Sequence, residues 1–275
     1  MNWIYFFLRG VGASGLASFA WLMGWRNGVL RRQLQIISRN HGASRAASRI
    51  SVTRRVKRFA LLNQAARDLL DLLLVPNKAH GLTLHPASAS ELAALQKGPA
   101  LFLTAHFHNW EFLGSWLTRQ GVPLKAIAKP LAQGWAQRLI TSQRKKLQLS
   151  IFERKGDDFS SARFFRQVLA HTQSGGVVGM LWDQHPPGAH DIGKFWGAPV
   201  KLDPLPGFLI KHVPMPVFFG ALLPNGEVRL IRLIAKGQPF EKLTRRYHRC
   251  LEVLIAMHPH YAYTLLHRRF RDTSS

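Results

Sequence analysis

Short apolar segments that alternate with helical patterns are the feature of this sequence that most restricts its fold. The segments at 99–105, 124–128, 177–182 and 217–222 have the length and apolar content of buried strands. Stretches with apolar residues at helical spacing lie between them. Alternation of this kind is typical of an α/β domain, and the turn at 224–226 between two apolar segments predicts an antiparallel pair. We therefore predict an α/β fold with a mixed sheet flanked by helices.

The size of the chain fits one large core. Its 275 residues are 47% hydrophobic, which excludes a disordered chain. We predict a membrane-associated helix at 1–30, a basic helical N-terminal region at 31–80 and one α/β core domain at 81–275. The single cysteine, Cys250, excludes a disulfide framework and a cysteine-based zinc site.

The first segment has a membrane-like composition. Residues 1–30 are rich in apolar and aromatic side chains, and no charged residue occurs from 10 to 25. This uncharged stretch is shorter than the roughly 20 residues that a full span needs. We therefore expect a helix that lies in or dips into the membrane, with an N-terminal helix packed on the core as the alternative.

The charge balance points to an anionic partner. The chain has 38 basic and 14 acidic residues and a net charge of +24. Every charged residue before Asp68 is basic, which suits the anionic cytoplasmic leaflet of a membrane. Nucleic acid is the rival partner, but no zinc-finger, RNA-recognition or basic-zipper pattern supports it. We expect an anionic membrane surface and no nucleic acid.

One histidine stands where a predicted strand ends. His106 follows the segment at 99–105, and Glu111 comes after it in a His-x4-Glu spacing at the start of a predicted helix. A neutral imidazole can accept the proton of an attacking alcohol, and a carboxylate can fix its tautomer. In this interpretation His106 is the general base and Glu111 orients it. The plainer interpretation is a loop histidine and a glutamate that favours the first turn of a helix.

Further polar residues follow two other predicted strands. Arg154 comes after the strand at 149–152 and could bind a phosphate or stabilise an oxyanion, although a solvated surface arginine is the alternative. Asp183 and Gln184 come after the strand at 177–182, where Asp183 is placed either to hold Arg154 or to cap a loop. We expect His108 at the edge of the pocket.

The motifs together resemble one family. The block Ala105-His106-Phe107-His108-Asn109-Trp110-Glu111 resembles the His-Phe-Gly-Asn-Trp-Glu block of the late acyltransferases of lipid A biosynthesis. Similar blocks follow in the same order, at 154–156, 178–184, 195–199, 258–259 and 267–270. The resemblance covers residues 82–271, and the order of the blocks makes it specific.

The resemblance implies a fold like that of the glycerolipid acyltransferases, with an N-terminal membrane helix. It also implies transfer of a fatty acyl chain from acyl carrier protein, or from acyl-CoA, to a hydroxyl of a lipid acceptor at the cytoplasmic face of the inner membrane. His106 and Glu111 would be catalytic. The residues expected to bind substrate are Arg154, Asp183, Gln184, His108, Asn109 and Lys129. We expect no cofactor and no metal.

Three departures bear on the acceptor. His108 stands where the family usually has glycine, Lys129 where arginine is common, and Gln133 where asparagine is expected. Mycobacterial phosphoinositol-mannoside acyltransferases and other glycolipid acyltransferases share the same blocks. The acceptor is therefore predicted as a lipid A precursor or a similar glycolipid.

Two other kinds of function remain as alternatives to acyl transfer. His106, His108, Asp183 and His185 have spacings that resemble metal ligands, which would suit a metal-dependent hydrolase. A non-enzymatic basic protein that coats a membrane or nucleic acid would also explain the charge. It gives no reason, however, for ordered blocks at the ends of successive strands.

Overall fold

The computed structural model describes residues 10, 12–15, 18, 58–154, 162–184 and 190–266. The predicted membrane-associated helix at 1–30 and the basic region up to residue 57 lie almost entirely outside the described residues. Within the described ranges, no helix combines the length and the apolar composition that crossing a membrane requires.

Four of the strands lie within the apolar segments predicted at 99–105, 124–128, 177–182 and 217–222. The strands are β1 Thr83–Leu84, β2 Ala100–Thr104, β3 Leu124–Ala128, β4 Ser150–Glu153, β5 Val177–Leu181, β6 His190–Phe195, β7 Ala198–Leu202, β8 Val217–Leu222 and β9 Glu227–Ile234.

The helices lie between these strands and at both ends of the described chain. They are α1 Arg58–Leu74, α2 Ala89–Lys97, α3 Trp110–Arg119, α4 Gly134–Lys146, α5 Ala162–Gln173, α6 Leu205–His212 and α7 Phe240–Met257. Short 3₁₀ turns occur at Pro76–Gly81, Pro86–Ser88, Pro259–Tyr261 and Tyr263–Leu266.

Seven strands form one sheet in the order β1-β9-β8-β2-β5-β3-β4, and β6 pairs with β7 in a separate hairpin. The strands β8, β2, β5, β3 and β4 run parallel, whereas β9 runs antiparallel to β8. The antiparallel pair forms because the turn at 224–226 connects its strands directly. The prediction of a mixed sheet flanked by helices is therefore confirmed.

The sheet separates two apolar cores because successive residues of a strand point to opposite faces. In β2, Leu101 and Leu103 face the core that is shared with α1, α5, α6 and α7. Ala100 and Phe102 face the other core, which α2 and α3 cover. Burial on both faces explains why the central strands are apolar without interruption.

The start of α2 departs from the hydrogen bonding that its sequence pattern indicates. Ser88-Ala89-Ser90-Glu91 has the sequence of a capping box, and α2 does begin at Ala89. The Ser88 hydroxyl, however, makes no cap. It donates to the Leu230 carbonyl at 3.1 Å and accepts from the Leu230 N–H at 3.0 Å, because it is buried against β9.

Candidate active site

The carboxyl ends of the five parallel strands lie along one edge of the sheet, where open α/β folds bind their ligands. The strands β2 and β5 are neighbours, and Thr104 pairs with Leu181 at their last position. His106 and Asp183 follow these two strands and therefore meet. Lys129 and Arg154 follow β3 and β4 at the same edge.

Two hydrogen bonds with Asp183 hold His106 in place. Its Nδ1 lies 2.8 Å from Asp183 Oδ1, and its backbone N–H donates to Asp183 Oδ2 at 3.0 Å. The Asp183 side chain is fully buried, while that of His106 is 15% exposed. The Trp110 ring packs edge-on against the imidazole at 4.8 Å between centroids. The imidazole is thus fixed in place and open on one side.

The contact with Asp183 also sets the tautomer of His106. An ionised carboxylate only accepts hydrogen bonds, so Nδ1 carries the proton and Nε2 is the acceptor nitrogen. Gln184 Nε2 lies 3.1 Å from that nitrogen and is exposed. A hydroxyl that took the place of this amide would meet a base whose other nitrogen is already partnered.

Glu111 does not make the contact that the sequence predicts. It lies buried in the first turn of α3, and its carboxylate accepts three hydrogen bonds from Arg144 of α4, at 2.6, 3.1 and 3.2 Å. Among the described residues, no hydrogen bond joins it to His106. The predicted contact is therefore wrong, and the position beside Nδ1 belongs to Asp183.

The physical reason lies in the start of α3. Trp110 is its first residue and turns its ring toward His106, so the next residue, Glu111, points away toward α4. There the bidentate guanidinium of Arg144 compensates the buried carboxylate. The catalytic role predicted for Glu111 stays a prediction.

Arg154 meets a carboxylate other than the predicted one. Its Nη1 donates to Asp203 Oδ2, and Asp183 bonds His106 instead. Asp203 is buried; its Oδ1 accepts the Leu205 N–H at 2.9 Å, and its carbonyl accepts the Trp182 indole N–H at 2.7 Å. Arg154 is therefore held at the edge of the sheet with its side chain 12% exposed. A solvated surface arginine does not describe it.

A second histidine–carboxylate pair lies two residues along the same loop. His108 Nδ1 is 2.6 Å from Asp68 Oδ2, which also accepts the Tyr263 hydroxyl at 2.6 Å. Asn109 donates to the Asp68 carbonyl at 3.0 Å. These contacts join the loop to α1 and to the C-terminal 3₁₀ turn. His108 and Asn109 are thus engaged by the protein itself, and the substrate contacts that the resemblance implies for them stay a prediction.

The backbone of His108 explains the glycine of the family's block. Its φ is +46°, in the left-handed region that glycine adopts without strain. The contact with Asp68 is what a histidine gains at this position. Two groups near His108 have altered pKa values. Burial, together with the neighbouring Asp68 carboxylate, raises the pKa of Tyr263 well above its ordinary value. Burial, followed by the charges of His108 and Arg229, lowers the pKa of His258.

Two cavities adjoin this edge. The larger, of about 260 Å³, is lined by Lys129, Gln137, Arg144 and neighbouring residues of β3, β4 and α4. The smaller, of about 50 Å³, is apolar and runs between α3 and the strands β2, β3 and β5. Arg144 lines both, and Glu111 lines the smaller one. The Glu111–Arg144 ion pair therefore stands where the two cavities meet.

The metal-ligand interpretation finds little geometric support. His108 is bonded to Asp68 and His106 to Asp183, and His185 lies outside the described residues. In the part of the chain that the structure describes, no three histidine, cysteine or carboxylate side chains are grouped closely enough to hold a metal ion.

Sequence reasoning missed three partners, which are Asp68, Asp203 and Arg144. The two aspartates had a signal, since the chain has only 14 acidic residues and Asp203 lies between the apolar residues Leu202 and Pro204. Asp68 is also the first acidic residue of the chain. Arg144 had none, because it is one of several cations in α4.

Comparison with known proteins comes from one family model. The model described as bacterial lipid A biosynthesis acyltransferase matches residues 90–272, which include the whole candidate site except Asp68. No curated protein matches the chain.

Proposed function

Because the chain belongs to the bacterial lipid A biosynthesis acyltransferase family, we propose that it moves a fatty acyl chain from acyl carrier protein to a hydroxyl of a lipid A precursor. Membership makes the chain an acyltransferase for a lipid A-like acceptor. The donor, the catalytic pair and the place of reaction are what we add. The observation that carries the proposal is the double contact between His106 and Asp183 at the carboxyl edge of the sheet.

In the proposed reaction, His106 Nε2 accepts the proton of the acceptor hydroxyl while its oxygen attacks the thioester carbonyl carbon. Asp183 stabilises the imidazolium that forms. The tetrahedral adduct then collapses, the carbon–sulfur bond breaks and the proton on Nε2 passes to the leaving sulfur. The products are the acyl ester and the free thiol of the carrier. Gln184, which lies beside Nε2, would bind the acceptor hydroxyl.

The basic groups along the edge would bind the anionic parts of the substrates. Arg154, partly neutralised by Asp203, is suited to one phosphate, and Lys129 is suited to another at the rim of the larger cavity. We assign Glu111 to the wall between the two cavities, where it fixes Arg144. His108 and Asn109 would support the loop rather than touch substrate.

Acyl carrier proteins are acidic, and this chain carries a net charge of +24. Complementary fields speed encounter and are screened by salt. Apparent affinity for an acyl carrier protein donor should therefore fall as salt is added. If acyl-CoA serves equally well and salt has no effect, the donor is CoA, and the proposed chemistry stands.

We place the reaction at the cytoplasmic face of the inner membrane, since the acceptor is a lipid and every charged residue before Asp68 is basic. Deletion of residues 1–25 should weaken attachment to membranes. High salt alone should release little of the intact chain, because apolar burial is not screened. An intact chain found wholly in the soluble fraction would contradict this placement.

The test of the reaction is acyl transfer by purified protein, followed by mass spectrometry of the acceptor. His106→Ala should lower turnover by ~10²–10⁴-fold, the usual contribution of a general base. His212→Ala is the matched control, since His212 is an exposed histidine at the end of α6, and it should retain full activity. A metal chelator should have no effect. Near-normal transfer by His106→Ala, or loss of transfer on chelation, would overturn the proposal.

A further inference from the structure

The outer surface of α4 carries large apolar side chains that nothing in the described structure covers. Leu131, Trp135 and Leu139 are 47%, 66% and 38% exposed. Trp135 is the most exposed large hydrophobic side chain of the described residues. We call these three residues, with the cations Arg138, Lys145 and Lys146 beside them, the α4 patch.

The patch has a continuous face. Trp135 and Leu139 are four residues apart and therefore lie one above the other on the helix. Leu131 precedes α4, and its backbone N–H donates to the Gln137 side chain at 2.8 Å, which holds the loop against the first turns of the helix. The inward side of α4 carries Ile140, which packs against the core, and Arg144, which pairs with Glu111. The exposed apolar face is thus not a misplaced core face.

The charges around the patch have one sign. No acidic residue occurs from 129 to 152, whereas Arg138, Lys145 and Lys146 are exposed on α4 itself. The one other arginine of the helix, Arg144, is turned inward to Glu111. An apolar stripe bordered by cations without acids is the pattern of a helix that lies in the interface of an anionic membrane.

From this charge complementarity we infer that the α4 patch docks on an anionic bilayer, with Trp135 at the depth of the headgroups and both leucines just below them. Tryptophan favours that depth because its ring is apolar and its indole N–H is polar. An acidic protein could also bind the cations, but three large and exposed apolar side chains fit acyl chains better. This inference rests on the proposed function only in that a lipid acceptor would then reach the larger cavity, lined by Lys129, Gln137 and Arg144, from the bilayer.

The test reads the patch locally, so that other membrane contacts of the chain do not interfere. An environment-sensitive fluorophore is attached to Ala132→Cys in the full chain carrying Cys250→Ala. Ala132 is exposed between Leu131 and Trp135. The control label is at Gln173→Cys, which is exposed at the end of α5, beside the amino end of β5 and thus at the sheet edge opposite His106.

With vesicles of phosphatidylglycerol, the emission at position 132 should shift to the blue, and that at 173 should not. Vesicles of phosphatidylcholine should cause little shift. The Leu131→Ser, Trp135→Ser and Leu139→Ser triple variant should lose the shift at 132. Arg138→Gln and Lys146→Gln should each raise, about five-fold, the lipid concentration that gives half of the maximal shift.

Absence of a shift at 132 in the presence of phosphatidylglycerol vesicles would overturn the inference. It would also be overturned if acidic acyl carrier protein produced the shift in vesicle-free solution and vesicles did not. The fluorescence shift at position 132 does not depend on acyl transfer, so His106→Ala should keep this shift. Conversely, the triple variant should keep transfer to an acceptor dispersed in detergent, so failure of the patch and failure of the proposed reaction are distinguishable.

Discussion

Two histidines that lie two residues apart in one loop each contact a carboxylate, and the two pairs differ in what surrounds them. His106 and Asp183 stand at the open edge of the sheet, where the imidazole is fixed on one side and reachable on the other. His108 and Asp68 instead join the loop to α1 and to the C-terminal 3₁₀ turn, because Asp68 also accepts the Tyr263 hydroxyl. His106 and Asp183 therefore form a candidate general base, whereas His108 and Asp68 form a structural contact, which we call the His108–Asp68 clamp. The position of each pair separates the two roles, since the exposed fractions of the two imidazoles are similar, at 15% and 12%.

The largest difference between the pairs should appear when both aspartates receive the same change. Asp183→Asn leaves the size of the side chain intact but can hold His106 in the wrong tautomer, and turnover should fall by ~10²–10⁴-fold. Asp68→Asn should lower turnover less than about ten-fold, because it touches no reacting group. Transfer assays on both variants, at equal folded fraction by circular dichroism, measure this. Equal losses would erase the distinction between the pairs.

Stability should respond in the opposite order. Asp68→Ala removes the acceptor of three donors, on Gln64, His108 and Tyr263, and should cost about 3 kcal/mol of the free energy of unfolding. Asp183→Ala removes the acceptor of the two His106 donors and should cost less. Urea denaturation of the two variants checks the order. A larger loss of unfolding free energy for Asp183→Ala than for Asp68→Ala would contradict the structural role that we assign to His108 and Asp68.

The backbone at His108 offers a smaller and more specific test. Glycine accepts a φ of +46° without strain, whereas alanine does not. His108→Ala should therefore be roughly 1 kcal/mol less stable than His108→Gly, although both lose the contact with Asp68. Both variants should keep substantial acyl transfer. Equal stabilities would mean that the loop relaxes out of the left-handed conformation.

The smallest expected effect is a pH dependence of stability that comes from His258, a neighbour of His108. Because burial lowers the pKa of His258 below its ordinary value of 6.5, the unfolded chain binds the proton more readily than the folded protein. The contribution of His258 to stability is therefore complete above pH 6.5 and is lost as the pH falls below it. Melting temperatures from pH 8 to pH 5 should fall less steeply for His258→Gln than for the parent, with His212→Gln as the control. Parallel curves for His258→Gln and the parent would argue against this linkage.

Much of the fold could be predicted because it depends on local patterns. The limits of α6, β8 and α7 follow from apolar runs and helical spacing, and the hairpin of β8 and β9 follows from its turn. The hairpin of β6 and β7 was not predicted, since its short strands hold glycine and charged residues and look like loop. The order of the strands also lies beyond local patterns.

The site could be predicted only in part, for the same reason. His106 and Asp183 were both singled out because each follows a strand, but their contact depends on β2 and β5 being neighbours. The His-x4-Glu spacing suggested Glu111 instead, because sequence proximity was the only distance that the chain offered. The partners Asp68, Arg144 and Asp203 come from remote elements, and their pairings exist only after folding.

The most direct test of the central claim is a double-mutant cycle on turnover with His106→Ala, Asp183→Asn and the two together. If His106 and Asp183 act as one unit, the double variant should be no slower than His106→Ala alone. The parallel cycle with Glu111→Gln should give losses that are closer to additive. Additive losses for His106 and Asp183, together with a non-additive cycle for His106 and Glu111, would contradict the account and return the orienting role to Glu111.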